Sequence, residues 1–412
     1  MRASRFWHSI MQHDEGATER RLLIQLARLG DLVQSLPAFV SLTARDPYRP
    51  LDLLCPAPLA DIARLFPDVG RVVQWNGEQW HLWAESFAEK FDRSRLREVE
   101  QYLVKLTTEP YKMAYVLNHH RRAILAATLL AEETLGPHLH GPLDEELSPW
   151  ASYLRRVAQM RGSNRIHLSD TFCGLCGVTP PAVPPILIPP SDGLPGDLAE
   201  VGLSAGLWIA VVVGAGDVDR SIPQSVWIEW ISTVLAHDSP CAVVLIGSER
   251  DQTTALAIQD GLSPMIAGRL WDATGRTTLP QLATILKRCH WAVGADTGPL
   301  HRAAAVGTRA MGFYFSRARV HETGPYGQGH WVWQADRAVP ETWPIRASVK
   351  MMRDPVSAMP EEPAAGWSLW QSHHDEWGAI FRPVGGRDPQ DDQRAAVWHQ
   401  LMEQRLSLQG VQ

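Results

Sequence analysis

Three short segments of this 412-residue chain carry residue types suited to holding an anion and moving a proton. The richest is Val293-Gly-Ala-Asp296-Thr297-Gly298-Pro299-Leu-His301-Arg-Ala-Ala-Ala-Val-Gly307. There an apolar, strand-like run from Trp291 breaks into a polar turn that opens into a small-residue helix. At such a junction unpaired backbone N–H groups and the positive end of a helix dipole point beyond the sheet. Asp296 and Thr297 are expected to supply N-cap oxygens, Gly298 to let a ligand approach the backbone, and Pro299 to occupy the first helical turn. His301, one turn in, reaches the same spot. The pattern reads as an anion-binding site on an open α/β sheet.

The second segment is Leu29-Gly30-Asp31, where a tight turn presents a carboxylate at the mouth of the first strand. Such a carboxylate is either a helix cap or a general base, and a base contributes about 10²–10⁴ in rate. The third runs from Gly214 through Arg220 to Trp227. Its glycines permit close backbone approach, and Arg220 offers a forked cation suited to phosphate oxygens. It lacks the spacing of a dinucleotide fingerprint, and no acidic ribose ligand follows, which argues against an oxidoreductase. Asp217 and Asp219 form a D-x-D, a pattern that can hold a metal against a diphosphate. Beside a cation, in a loop, it reads as a solvated turn.

The elements that must position these loops alternate regularly. Arg21–Leu26, Leu51–Cys55, Arg71–Trp75 and Met113–Leu117 read as short strands separated by helical spacing of apolar residues, including a helix over Leu32–Ala44. After a proline-rich stretch from Pro180 to Pro195 the alternation restarts, with strands at Leu207–Val213, Cys241–Gly247, Trp291–Val293 and Thr308–Phe315. Strands and helices of this length imply right-handed βαβ units and parallel sheets. The expected organisation is a polar arm over 1–20, a Rossmann-like domain over 21–190, a second over 191–335, and a Trp-rich extension over 336–412. In two such domains the loops after the strands would line a central cleft. Trp331, Trp333, Trp343, Trp367, Trp370, Trp377 and Trp398 hold 7 of the 17 tryptophans. Exposed rings of this kind stack on sugars; packing back onto the domains is the favoured reading.

Composition narrows the class. A net charge of -6 argues against a nucleic-acid partner, and no apolar stretch reaches the roughly 18 to 20 residues of a membrane span. The N-terminal residues have no apolar signal-peptide core, so the cytoplasm is the default compartment. Cys173 and Cys176 make a C-x-x-C without a second ligand pair, which reads as two thiols on the buried face of a helix.

Together these motifs resemble glycosyltransferase family 9, the heptosyltransferases of lipopolysaccharide core assembly. Arg28-Leu-Gly-Asp31-Leu-Val-Gln-Ser-Leu-Pro37-Ala38 resembles the family's opening motif. Gly275-Arg-Thr-Thr-Leu279, Gly294–Gly307 and Thr323-Gly-Pro-Tyr-Gly327 are similar to its C-terminal set in order and spacing, and Asn118–Arg122 and Ser163-Asn-Arg165 to further segments. The resemblance covers roughly residues 20 to 330. It implies a GT-B fold and inversion without a metal or cofactor, with a nucleotide-sugar donor, ADP-heptose, as substrate. By position, Asp31 is the implied catalytic base. Gly214, Arg220, Glu249, Asp296, Thr297, Gly298 and His301 are the implied donor-binding residues, Arg220 standing where the family commonly has Lys. Gly30, Lys112, Arg121 and Arg122 are candidates for meeting an anionic glycan or glycolipid acceptor such as lipopolysaccharide core, with room for peripheral contact with the inner face of the membrane. A protein acceptor (flagellin or an autotransporter) and a catalytically silent glycan-binding homologue are the alternatives. Ile222, where an aromatic is usual, and Phe315-Ser-Arg-Ala318, in place of Phe-Gly-Pro-Thr, depart from the family pattern beside the donor.

Overall fold

A computed structural model describes residues 19–89, 93–107, 109–139, 145–146, 148–190, 194, 206–236, 241–354, 364–386, 388 and 391–409. Most of the arm expected over 1–20, and Pro195, lie outside them. The chain divides into two compact units. The first takes in residues up to Gln159, Ser169–Pro181 and residues from Val397 onward; the second takes in Met160–Leu168 and Ala182–Ala396.

The first unit is a five-stranded parallel sheet in the order β3-β2-β1-β4-β5, formed by β1 (Arg21–Ile24), β2 (Leu51–Pro56), β3 (Val72–Trp75), β4 (Tyr111–Val116) and β5 (Ala131–Leu135). Its central strands are apolar on both faces because helices cover both, and Leu22, Leu23, Ile24, Leu53 and Leu54 are fully buried. The helix expected over 32–44 is two. α1 (Leu29–Gln34) ends at Ser35, and α2 (Leu36–Arg45) follows. Pro37 has no N–H to continue the ladder, and Ser35 Oγ instead bonds the Leu32 carbonyl. Between β3 and β4 lie α3 (Gly77–Glu89) and α4 (Arg93–Leu106), and α5 (Arg121–Leu130) follows β4. α6 (Pro149–Val157) and α7 (Leu168–Cys176) complete the middle of the chain. Cys173 and Cys176 are wholly buried on α7, and burial raises the Cys173 thiol well above its ordinary range.

The second unit is built on an eight-stranded sheet in the order β8-β7-β6-β9-β10-β11-β12-β13. Six strands run parallel: β6 (Leu207–Val212), β7 (Cys241–Ile246), β8 (Leu270–Asp272), β9 (Trp291–Gly294), β10 (Arg309–Tyr314) and β11 (Trp331–Ala335). The connecting helices are α8 (Gln224–Leu235), α9 (Gln252–Asp260), α10 (Leu279–Arg288) and α11 (Gly298–Ala305). After α12 (Ile345–Arg353), β12 (Trp367–Asp375) and β13 (Gly378–Pro383) add an antiparallel hairpin to the β11 edge. The aromatic-rich segment goes into this unit: Trp331 and Trp333 on β11 and Trp367 on β12 are buried in its core, and Trp343 packs on Phe313 and Phe315. The last helix, α13 (Asp391–Gln409), carries Trp398 into the first unit, edge-on to Trp150 at 4.6 Å.

Candidate functional site

In a doubly wound sheet, the loops leaving the strand ends separate where neighbouring connections run in opposite directions. In the second unit that switch point falls between β6 and β9. The Gly214–Arg220 loop leaves one strand and the Ala295–Gly298 turn leaves the other. Arg220 bridges them: its Nη1 donates to the Asp296 carbonyl at 3.0 Å and stands 3.6 Å from Asp296 Oδ2. His301 Nε2 lies 3.0 Å from Asp296 Oδ1. Burial works against charge on Asp296, but the hydrogen bond and charge of His301, then the charge of Arg220, outweigh it and hold the carboxyl below its ordinary range.

This arrangement corrects the expected capping. Thr297 occupies the N-cap position of α11, yet its side chain makes no cap bond, and its buried Oγ1 has no partner among the described residues. The Asp296 carboxylate is turned to His301 and Arg220 instead. The first amides of α11 are therefore left uncapped by side chains, beside the half-buried Gly298. His301 Nδ1 is likewise buried and without a partner among the described residues. A helix N-terminus with a neighbouring guanidinium, a buried hydroxyl and an imidazole nitrogen can receive an anion with several acceptor oxygens.

The glycine of the Gly214 loop has a second reason for being there. A Cβ on Gly214 would collide with the Asp251 carboxylate, and one on Gly247 would sit 2.8 Å from Asp251 Cβ. Asp251 accepts from the Ser248 amide and hydroxyl, both at 2.7 Å, closing the turn that holds Glu249. The pattern Ser248-x-x-Asp251 is legible as a capping sequence, but its reach to Gly214 is not. Glu249 is exposed on the same edge, and Gly275, at φ +66°, packs against it with its amide bonded to the Gly247 carbonyl at 3.0 Å. Asp217 and Asp219 are exposed; Asp217 Oδ1 accepts from the Asp219 amide at 3.4 Å, and the Asp217 carbonyl accepts from the Arg220 amide. Among the described residues no group of three or more His, Cys, Asp or Glu could hold a metal ion.

In the first unit the switch point lies between β1 and β4. Asp31, in the first turn of α1, follows β1, and the Asn118–Arg122 loop follows β4. A buried amide pair ties the two ends: Asn118 Oδ1 accepts from the Leu26 amide at 2.7 Å, Asn118 Nδ2 donates to Gln25 Oε1, and Gln25 Nε2 reaches the Asp31 carbonyl at 3.3 Å. Asp31 is half-buried, and its Oδ2 accepts from the Arg28 amide at 3.2 Å, so the cap role is realised in part. Burial and the charge of Arg122 push the His120 imidazole down, while Asp31 pulls against them. Gly30 is beside Asp31, and the exposed Arg121 and Arg122 open α5 on the same edge.

Lys112 does not belong with them. It stands at the start of β4, its amide bonded to the Arg20 carbonyl, about 13 Å of extended strand from Val116. Its ammonium pairs with Glu132 at 2.9 Å. Strand polarity places it at the opposite edge of the sheet from Asp31.

Two Rossmann-type sheets, parallel apart from the β12–β13 hairpin and each with its polar loops at the switch point, define an α/β protein with the fold of GT-B heptosyltransferases. Residues 208–341 match the model of glycosyltransferase family 9 (heptosyltransferase). The fold is similar to that of a family 9 glycosyl transferase from Veillonella parvula (TM-score 0.58, 16% identity, covering 84% of this chain and 94% of that one). It is also similar to heptosyltransferase WaaC of E. coli with ADP (0.55, 17%, 75% and 91%) and to ADP-heptose lps heptosyltransferase II of E. coli (0.53, 19%, 74% and 87%). No curated protein sequence matches the chain. Among the described residues no helix is long and apolar enough to cross a membrane.

Proposed function

We propose that this chain is an inverting, metal-independent glycosyltransferase that moves heptose from ADP-heptose to a bacterial surface glycan such as lipopolysaccharide core. Support comes from the match to the family 9 model and from the likeness in fold to heptosyltransferases, one of them described with ADP. The observation that carries the reading is the uncapped N-terminus of α11, flanked by Arg220 and by Thr297 Oγ1 and His301 Nδ1, neither of them partnered among the described residues.

In this reading the donor's diphosphate rests on the amides around Thr297 and Gly298, with Glu249 on the nucleoside side. A helix end contributes about 0.3–1 kcal/mol when exposed and up to about 2 when partly buried, too little alone to drive departure of the leaving group. Arg220 spends one of its N–H donors on the Asp296 carbonyl and brings others to the phosphate oxygens as charge-assisted bonds. Asp31 takes the proton from the acceptor hydroxyl as that oxygen bonds to the anomeric carbon. The bond from that carbon to the diphosphate breaks on the other face, which inverts the configuration. Gly30, Arg121 and Arg122 meet the anionic acceptor, presented at the inner face of the membrane to an enzyme acting in the cytoplasm.

Calorimetric titration with a panel of nucleotide-sugars tests the donor assignment. Wild-type protein is expected to bind one nucleotide class, and Arg220→Ala to bind it at least tenfold more weakly. Failure of the wild type to bind any nucleotide-sugar sinks the proposal.

A further inference from the structure

The nine residues Met160–Leu168 belong to the second unit, although the residues on both sides of them belong to the first. Three contacts fasten this segment in place. Arg161 Nη1 stands 3.5 Å from Glu322 Oε1, Arg165 Nε donates to Asp388 Oδ2 at 3.0 Å, and His167 Nε2 lies 2.8 Å from the Gly324 carbonyl. His167 is wholly buried, its ring 5.3 Å from Tyr326 and 6.4 Å from Phe381. Phe381 also fills the space that a Cβ on Gly324 would need.

The carbonyl one residue earlier, on Thr323, accepts from Tyr314 Oη at 2.6 Å. Two successive carbonyls of the Thr323-Gly324 turn are thus held by side chains from β10 and from the returning segment. The turn borders the donor turn, because Thr323 is among the groups that lower the Asp296 carboxyl. His167 in turn feels the charges of His301 and Asp296, and burial, the largest influence on it, pushes its imidazole down to about 3. The ring is therefore neutral, and since a carbonyl can only accept, its proton is on Nε2.

We propose that His167 is a positioning residue for the donor site: its Nε2–H holds the Gly324 carbonyl and so fixes the Thr323-Gly324 turn beside Asp296 and His301. The inference rests on reading that site as the donor site.

The test compares His167→Gln with His167→Leu in the full chain, using thermal melts to establish that each is folded. The Gln amide restores an N–H donor at similar reach; Leu fills the space without one. In ligand-free protein, side-chain nitrogen NMR is expected to show wild-type His167 as the Nε2–H tautomer. The His301 resonances should move in the Leu variant and return in the Gln variant. ADP affinity, by calorimetry, should fall about tenfold in the Leu variant and recover to within about threefold in the Gln variant, with donor KM changing more than kcat. Wild-type His301 resonances in the Leu variant, or equal impairment of the two variants, overturns the role. If wild-type protein takes no ADP the donor reading falls, and the His301 resonances of the two variants still decide whether His167 sets the turn.

Discussion

Three buried histidines of the second unit should make this protein sensitive to mild acid. Burial pushes His167 and His321 down to about 3 and His330 to about 4, against 6.5 for an ordinary imidazole. The bonding agrees: His330 Nδ1 accepts from the Ala310 amide at 3.1 Å, which a protonated nitrogen could not do. Burial favours the neutral form of all three in the folded chain, against the pull of Asp388, whose Oδ2 is 3.3 Å from His321 Nε2, whereas the unfolded chain takes up protons below about pH 6.5. Their contribution is full above that pH and is lost as the pH falls towards the folded values. Each then costs roughly 2 kcal/mol between pH 7 and pH 5, and the three together ~6 kcal/mol, against a typical total of about 5–15. Hydrogen exchange of β10 and β11 amides in urea, at pH 7, 6 and 5, reads this unit directly. The unfolding midpoint should fall steeply across the series, and His330→Gln should remove about a third of the slope. A midpoint that stays level between pH 7 and pH 5 refutes the reasoning.

The site makes further predictions. Asp31→Asn should keep nucleotide-sugar affinity while turnover falls by about two or more orders of magnitude; near-wild-type turnover would leave Asp31 as a cap and nothing else. Lys112→Ala should leave acceptor KM unchanged, whereas Arg121→Ala with Arg122→Ala should raise it; steady-state kinetics with varied acceptor separates the two. Gly214→Ala should destabilise the second unit by about 1–3 kcal/mol, because the new methyl must displace the Asp251 carboxylate. In an Asp251→Ala background the same substitution should cost much less, and an unchanged cost in that denaturation cycle would deny the contact.

The alternation of strands and helices was legible wherever a strand is a run of aliphatic residues ending in a turn former, as at β1, β2, β6, β7, β9 and β10. β5 was not, because Ala131-Glu-Glu-Thr-Leu135 lies at the sheet edge with Glu132 and Glu133 exposed, and carries no apolar run. The β12–β13 hairpin was missed for a related reason. Ser372 is buried in β12 because its Oγ accepts from the His330 amide at 2.8 Å, a long-range bond that interrupts the local apolar pattern. Within the site, residue types and strand ends pointed to Asp31, Asp296 and His301, since both depend on neighbours in sequence. Which oxygen meets which donor depends on contacts across many residues. Arg220 reaches Asp296 from 76 positions away, so the expected side-chain caps gave way to an ion pair and an uncapped helix. Lys112 was misplaced on its charge alone: it precedes the strand read at Met113–Leu117, and in a parallel sheet the site loops follow the strands.

The route of the chain also governs how the molecule can be assembled. It passes from one unit to the other four times, after residues 159, 168, 181 and 396, so neither unit is a single stretch of sequence. Trp398 is 1% exposed and abuts Trp150, itself wholly buried. During synthesis the earlier half therefore emerges before the trailing helix can bring Trp398 against Trp150. A cut at the proline-rich stretch would yield two fragments, one deprived of its closing tryptophan and the other of the strap that bears His167.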